Sequence, residues 1–216
     1  MKGVFVTAIG TEIGKTYVSA QLLARWRAEG RRVHAVKPVM SGFGEDALAA
    51  SDAGQLLAGC GREVSPETVS EICLHRFEAP LAPNVAMRQA GVRQDYEAIL
   101  DFVRERMTGA GADICLVEGA GGVMSPLTDD RLQIDLMADL GLPVILVAAS
   151  YLGAVSHTLS AIDVLRARGL EIAQLIISQP DPDSAEPDTL GHEVGLFREV
   201  AWQTVRHGGR IERLED

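Results

Sequence analysis

The 216-residue sequence contains few cysteines and few aromatic residues. Its three cysteines are scattered, which excludes a disulfide framework and a Cys-x-x-Cys metal site, so we expect reduced thiols at Cys60, Cys73 and Cys115. No run approaches the roughly 18 apolar residues of a membrane span, and the first residues lack the apolar core of a signal peptide. These absences predict a cytoplasmic protein.

Positive charge is also scarce, since 30 acidic residues face 20 basic ones and the formal net charge is -10. Such a field repels nucleic-acid backbones and anionic lipids, so we expect neither nucleic acid nor membrane as a partner. Only three of the basic residues are lysine, namely Lys2, Lys15 and Lys37. Because arginine is chosen everywhere else, Lys15 and Lys37 indicate sites that need a compact ammonium.

What the sequence does contain is an alternation of short apolar runs with amphipathic segments. Continuous apolar runs predict strands buried on both faces, as in a parallel sheet covered by helices. The runs are Gly3–Thr7, Val33–Lys37, Ile114–Glu118, Val144–Ala148 and Ala173–Ile177. Helical spacing covers Lys15–Glu29, Asp95–Met107, Leu132–Leu140, Val155–Arg168 and His192–Val205.

This order predicts a doubly wound α/β fold, with a mainly parallel sheet, helices on both faces and a single domain over residues 1–216. Ligands of such folds bind beyond the carboxyl ends of the strands. The proline-rich and acidic stretch Gln179–Asp188 predicts a solvated loop, because its aspartate spacing matches no metal-binding loop. We expect Leu190–Asp216 to be a helix with a charged tail.

A phosphate-binding loop is predicted directly after the first strand. Gly14-Lys15-Thr16 opens a helix there, and supplies backbone N–H groups, a lysine for the outer phosphates and a hydroxyl for Mg²⁺. The loop departs from the usual pattern at Ala8 and Ile9, where such loops open with glycine. We expect Gly10 to take over the close approach that this glycine normally permits.

Charged residues stand at the ends of two further strands. Lys37 closes the second apolar run, so it is expected to point into the same crevice as the phosphate-binding loop. Glu118 closes the third run and precedes a glycine-rich turn, which suits a Mg²⁺ ligand beside phosphates. Asp52, taken alone, fits an exposed helix acid better than a metal ligand.

Together these segments resemble the dethiobiotin synthetase family of ATP-dependent, P-loop enzymes. The resemblance runs from about residue 4 to residue 178, in the order and with the spacing of the family. Its motifs are TEIGKT (Thr11–Thr16), KPVMSG (Lys37–Gly42), SDA (Ser51–Ala53), PLAPNVA (Pro80–Ala86), EGAGG (Glu118–Gly122) with Ser125-Pro126-Leu127, and LGAVSHT (Leu152–Thr158).

The resemblance implies roles for individual residues. Lys15 and Lys37 are the catalytic residues it implies, facing the phosphates and a carbamate. Mg²⁺ is held by Thr16, Asp52 and Glu118. Nucleotide contacts come from Thr11, Glu12, Ile13, Gly14, Lys15, Thr16, Tyr17, Glu118 and Ser178. The diamine substrate lies against Thr11, Lys37 and Ser41, and against Leu152 and Gly153 of the second subunit of a homodimer.

The reaction that the resemblance implies is the Mg²⁺-dependent carboxylation and ring closure of 7,8-diaminononanoate with CO₂, driven by ATP or another nucleoside triphosphate. A substrate amine captures CO₂ as a carbamate, whose oxygen attacks the γ-phosphate, and the second amine then closes a cyclic urea. Because carbamate and triphosphate repel each other, ammonium groups and Mg²⁺ are the expected means of bringing them together.

Two positions depart from the family. Ser178 stands where the family usually has an asparagine that recognises adenine, and a hydroxyl cannot replace the paired contacts of a carboxamide. The family's glycine-proline segment near the C-terminus is also missing. Both differences concern the base and leave the reacting phosphate untouched.

Three alternatives compete with this interpretation. A partitioning-type ATPase switch carries an additional lysine near the start of its loop, which Ala8, Ile9 and Gly10 do not provide. An amide-forming ligase with a glutaminase domain needs a longer chain. A non-catalytic nucleotide-binding module would bind nucleotide but release no phosphate when given diamine and bicarbonate.

Overall fold

Parallel strands form the centre of the protein in a computed structural model that describes residues 2–109, 111–183 and 186–211. The main strands are β1 (Lys2–Ala8), β2 (Val33–Val36), β5 (Ile114–Glu118), β6 (Val144–Ala149), β7 (Ile172–Ser178) and β8 (Trp202–Val205). They form one sheet in the order β2-β5-β1-β6-β7-β8, and each neighbouring pair is parallel. Two short strands, β3 (Val39–Ser41) and β4 (His75–Phe77), form a separate parallel pair.

Helices connect the strands and cover both faces of the sheet. They are α1 (Lys15–Ala28), α2 (Asp52–Gly59), α3 (Pro66–Ile72), α4 (Pro83–Gln89), α5 (Tyr96–Gly109), α6 (Gln133–Leu140), α7 (Ala154–Ala167) and α8 (Pro187–Gly195), with a 3-10 helix over Glu45–Ala50. The predicted doubly wound α/β fold is therefore confirmed. The five predicted strands and the first four predicted helices lie within two residues of the observed elements.

The core has two layers because the strand side chains alternate between the faces of the sheet. Phe5 and Val117 belong to the cluster on one face. Val6 and Leu116 belong to the cluster on the other face. All four side chains are fully buried. Burial on both faces explains why these strands are nearly continuous apolar runs instead of alternating apolar and polar ones.

The predicted helix over His192–Val205 is wrong. Helix α8 begins earlier, at Pro187, where proline suits the first turn, and it ends at Gly195. Residues Trp202–Val205 form β8 and pair with β7, so that Leu175 faces Trp202. The aromatic and β-branched side chains of WQTV favour an edge strand. The predicted tail at residues 212–216 lies outside the described residues.

The region between residues 39 and 89 carries elements that the periodicity does not reveal. Helix α2 is capped by Ser51, whose side chain accepts a hydrogen bond from the Gly54 N–H at 3.1 Å. Helix α3 is capped by Ser65, with Pro66 in its first turn. These helices have seven or eight residues each, about two turns, which is shorter than the window over which apolar spacing identifies a helix.

The three cysteines are free thiols, as expected. Cys73 and Cys115 are buried, and burial raises the pKa of both thiols to about 12. They therefore stay protonated and unreactive at neutral pH. Within the described ranges, no helix is long and apolar enough to cross a membrane.

Candidate active site

The loop between β1 and α1 ends in a residue of left-handed conformation. Gly14 has φ of 87° and stands at the N-terminal end of α1, where a residue with a side chain would be strained. Lys15, Thr16 and Tyr17 form the first turn of this 14-residue helix, where N–H groups lack partners within the helix. This arrangement favours an anion at the loop.

A second glycine-rich turn lies directly against the phosphate-binding loop. A Cβ atom at Gly122 would lie 3.2 Å from both the Ala8 carbonyl oxygen and the Gly10 nitrogen. The same atom at Gly10 would meet only the Ile13 side chain, at an ordinary 3.7 Å. The turn after β5 therefore needs a glycine at position 122 to pack against the phosphate-binding loop, and the close approach of Gly10 to a phosphate stays a prediction.

Three oxygen-bearing side chains meet at the carboxyl ends of the strands. Thr16 Oγ1 lies 3.0 Å from Asp52 Oδ1 and 2.9 Å from Glu118 Oε1. Asp52 is placed there by its position in the first turn of α2, directly after the capping Ser51, and Glu118 is the last residue of β5. From its local sequence Asp52 resembles an exposed helix acid. The structure instead places it next to the phosphate-binding loop.

Lys37 follows β2 and lies beside both carboxylates. Its Nζ is 2.7 Å from Glu118 Oε1, 2.8 Å from Asp52 Oδ2 and 3.0 Å from the Gly119 carbonyl oxygen. Burial alone lowers the pKa of this ammonium, but the two carboxylates outweigh burial and raise the pKa above its ordinary value. Lys37 is therefore a permanent cation in the site.

The pKa values of Lys15 and Asp52, beside Lys37, are both lowered, but for different reasons. Burial and the nearby ammonium of Lys37 lower the pKa of Lys15. Burial alone raises the pKa of Asp52, but Lys37 and the Thr16 hydroxyl outweigh burial and hold that pKa below its usual range. Two cations and two anions thus share one small region, and an incoming triphosphate would meet Lys15 as the less compensated cation.

These residues surround a pocket of about 690 Å³ at the carboxyl edge of the sheet. The predicted residues that line it are Thr11, Glu12, Ile13, Gly14, Lys15, Thr16, Tyr17, Lys37, Ser41 and Asp52. Glu118 lies beneath the lining and is fully buried. Further lining residues that the predicted site did not include are Gln55, Pro80, Leu81, Pro83, Gly121, Ser125 and Pro180.

Sequence features were available for some of the lining residues that the prediction missed. Gln55 follows Asp52 by three residues on α2, so the two side chains share one helix face. Pro80–Pro83 belong to the PLAPNVA segment, which precedes α4 and contributes backbone and apolar surface to the pocket. Pro180 has no such signal, because it follows β7 in an irregular loop.

Ser178 lies outside the lining of this pocket. Its Oγ is buried and, within the described parts of the chain, has no hydrogen-bond partner. A Cβ atom at Gly14 would lie 2.5 Å from it, so the hydroxyl packs against the backbone of the phosphate-binding loop. In this conformation the Ser178 hydroxyl packs against the phosphate-binding loop at Gly14 and does not face the pocket.

Leu152 and Gly153 also lie apart from the pocket. Gly153 has φ of 96° at the N-terminal end of α7, and Leu152 beside it is fully exposed. Tyr151 Oη and His157 Nδ1 are 2.8 Å apart on the same helix end. A cleft of about 510 Å³ lies between α7 and the turn after β5, and it includes Thr11 and Ser125 of the main pocket.

A second cleft, about 810 Å³ and larger than the main pocket, lies at the opposite edge of the sheet, around Trp26 and the amino end of β1. It contains none of the predicted site residues. Ligands of open parallel sheets bind at the carboxyl edge, and the smaller pocket there is the one that contains Lys15, Lys37 and Asp52. We therefore take the carboxyl-edge pocket as the candidate active site.

The parallel sheet and the strand-loop-helix with GKT define a P-loop nucleotide-binding protein. In agreement, a family model described as an AAA domain matches residues 2–215. The MinC:MinD cell division protein complex of Aquifex aeolicus contains a chain with TM-score 0.57, which covers 95% of this chain and 81% of that one. At 11% identity this likeness shows the fold alone.

Relatives in sequence identify the family, which the likeness in fold does not. The chain is 46% identical to the ATP-dependent dethiobiotin synthetase BioD of Phenylobacterium zucineum, over 98% of this chain and 86% of the relative. Identity is 46% to the enzyme of the same name from Caulobacter vibrioides, over 95% and 90%, and 39% to that from Methylobacterium nodulans, over 97% and 95%. The chain belongs to the dethiobiotin synthetase family.

Proposed function

We propose that the protein is an ATP-dependent dethiobiotin synthetase, a ligase of biotin biosynthesis. Its substrates are 7,8-diaminononanoate and CO₂, and its products are dethiobiotin, ADP and phosphate. The observation that carries this proposal is the convergence of Lys15, Lys37, Thr16, Asp52 and Glu118 at the phosphate-binding loop. Together with the family membership, it supplies the groups that carbamate phosphorylation requires.

The side chains of the site position the substrates and neutralise their negative charge, and none of them acts as a nucleophile. The carbamate oxygen attacks the γ-phosphorus of ATP and displaces ADP, and the second amine then attacks the carbonyl carbon of the phosphorylated carbamate and expels phosphate. Lys15 at the start of α1 faces the phosphates, and Lys37 faces the carbamate. Thr11 and Ser41, which both line the pocket, hold the diamine. Burial of both lysines strengthens their attraction for the anions.

A divalent cation fits the site. Glu118 Oε2 is buried and, within the described ranges, makes no hydrogen bond, so one carboxylate oxygen remains open. A hydroxyl and two carboxylates are a donor set that Mg²⁺ prefers. We propose that Thr16, Asp52 and Glu118 hold Mg²⁺, which when bound neutralises phosphate charge. The described residues contain no group of three or more histidine, cysteine or acidic side chains suited to a metal, so this set of two carboxylates and one hydroxyl is the candidate that we propose.

A homodimer is the second part of the proposal. The substrate carboxylate needs a partner, and we expect it at Leu152 and Gly153 of the second subunit, where the N-terminus of α7 favours an anion. Leu152 is fully exposed, so its side chain is accessible to a second subunit. One domain over residues 1–216 and a cytoplasmic location stay predictions.

Omission assays test the function directly. We expect phosphate release from ATP that requires Mg²⁺, the diamine and bicarbonate together. A switch ATPase would release phosphate without the diamine, and a binding module would release none in the complete mixture. Either result would contradict the proposal. Equal amounts of dethiobiotin and phosphate in the complete mixture would support it.

A further inference from the structure

Two hydrogen bonds and one close ion pair surround the ammonium of Lys37. An ammonium has three N–H groups, and the structure provides three acceptors within 3.0 Å: Glu118 Oε1, Asp52 Oδ2 and the Gly119 carbonyl oxygen. The side chain is 2% exposed, so its near neighbours are these three groups and not bulk solvent. In this arrangement Lys37 cannot also donate to a carbamate, and it must first give up one of its present partners.

The partners that Lys37 occupies are the oxygens that a divalent cation would need. Glu118 Oε1 is shared between Lys37 and Thr16, and Asp52 has one oxygen near each of them. Only Glu118 Oε2 remains open in the described structure. The site therefore already contains one cation, which is supplied by the chain itself.

Electrostatics require such a cation when no metal is bound. Glu118 is fully buried, and an ionised carboxylate in that position is unfavourable unless a positive charge pairs with it. Lys15 is nearby but makes no salt bridge in the part of the chain that the structure describes. Lys37 is thus the group that compensates both carboxylates. A divalent cation at the same oxygens would repel it.

We propose that Lys37 is a resident counter-cation: it holds Asp52 and Glu118 together while no divalent cation is bound, and metal binding displaces its ammonium into the pocket. The competition rests on the geometry described above. Its consequence, that the metal frees Lys37 to face the carbamate, rests on the proposed function. A carbamate-binding lysine would then become available only after the metal has arrived.

Lysine labelling tests the displacement in the unmodified protein. The chain has only three lysines, so acetylation of each is easily resolved by mass spectrometry. We expect saturating Mg²⁺ to increase the acetylation rate of Lys37 severalfold relative to that of Lys2, because the ammonium leaves its buried position. Lys2 is exposed and far from the site, and serves as the internal reference. A rate for Lys37 that Mg²⁺ leaves unchanged would overturn the proposal.

Metal affinity of two variants tests the competition. Lys37→Met removes the ammonium that contacts the carboxylates, and Lys15→Met removes one from the same pocket that makes no salt bridge with them. We expect Lys37→Met to bind Mn²⁺ at least about tenfold more tightly than Lys15→Met, measured by titration without nucleotide. Equal affinity, or weaker binding by Lys37→Met, would overturn the proposal.

Both measurements are independent of turnover. If the omission assays fail while the metal displaces Lys37, only the proposed function is wrong. If turnover is observed but the labelling rate or the Mn²⁺ affinity does not change as expected, the counter-cation proposal alone is wrong. Circular dichroism of the two variants shows whether each is folded, and the labelling experiment needs no variant.

Discussion

The two halves of the carboxyl edge of the sheet differ sharply in charge. Strands β2, β5 and β1 lead into Lys37, Glu118 and the loop with Lys15, whose charges are compensated among themselves. Strands β6, β7 and β8 end in Ala149, Ser178 and Val205, all of them neutral and buried. From this comparison we expect the first half to bind phosphate, and the second half to contribute no charged side chain from its strand ends.

The largest effect is expected in the charged half, from Lys37→Ala. Loss of such an electrostatic contact to a reacting group costs about 10²–10³ in rate, so turnover should be abolished in practice. Nucleotide binding should survive, because Lys15 and the helix N-terminus remain. Steady-state rates and calorimetric nucleotide titration measure the two quantities. Lys37→Arg should also be poorly active, since a planar guanidinium does not replace a compact ammonium. Near-normal turnover in either variant would contradict the assignment.

The second expected effect concerns the backbone that supports the charged half. Gly122→Ala places a Cβ atom 3.2 Å from backbone atoms of Ala8 and Gly10, so the phosphate-binding loop must shift. We expect a loss of about 1–3 kcal/mol in stability and weaker nucleotide binding. Gly10→Ala is the matched control, because its Cβ makes only ordinary contact. Thermal unfolding and nucleotide titration compare the two variants, and equal behaviour would argue against the tight contact.

The third prediction moves to the neutral half and concerns assembly. Leu152→Glu adds a charge to a fully exposed side chain before α7, so the isolated subunit should fold normally. In a homodimer that shares its diamine site, this change should raise the KM for the diamine about tenfold or more and favour monomers. Nucleotide affinity should not change. A bulky charged residue at Gly153 should act similarly, with added strain from its φ of 96°.

Leu196→Glu is the control for assembly, since Leu196 is 74% exposed at the end of α8. It should leave both the KM and the sedimentation behaviour unchanged. A fully active monomer of the unmodified chain would show that no second subunit contributes to the site.

The smallest effect is expected at the end of β7. Because the Ser178 hydroxyl is buried against Gly14 and the pocket lining excludes it, Ser178→Ala should change nucleotide affinity by less than about twofold. Without a carboxamide to recognise adenine, kcat/KM for ATP, GTP, CTP and UTP should agree within about tenfold. Backbone groups around Pro180, which lines the pocket, are the candidates for hydrogen bonds to a base, and a preference for a pyrimidine triphosphate within this tenfold range would agree with such contacts. A preference for ATP above about 100-fold would mean that another group reads the base.

The same comparison explains what the sequence could predict. In the charged half, Lys15, Lys37 and Glu118 are placed by strand ends, which apolar runs locate well. The assignment of Asp52 to the site required the family resemblance, because the position of this residue depends on how the chain folds between β3 and α2. In the neutral half, the segment after β7 has weak periodicity, and the pairing of Trp202 with Leu175 is a tertiary contact that local spacing does not encode. The contacts of Lys37 with two carboxylates likewise become visible only when three separate segments meet.

Oxygen transfer from bicarbonate to phosphate tests the central claim most directly. The carbamate oxygen that attacks ATP comes from CO₂, and ring closure expels phosphate with that oxygen attached. The protein is given freshly dissolved bicarbonate labelled with oxygen-18, in unlabelled water, for a time short compared with oxygen exchange. We predict phosphate that carries a single labelled oxygen, formed together with dethiobiotin. Unlabelled phosphate would show that water attacks ATP, and would contradict the account.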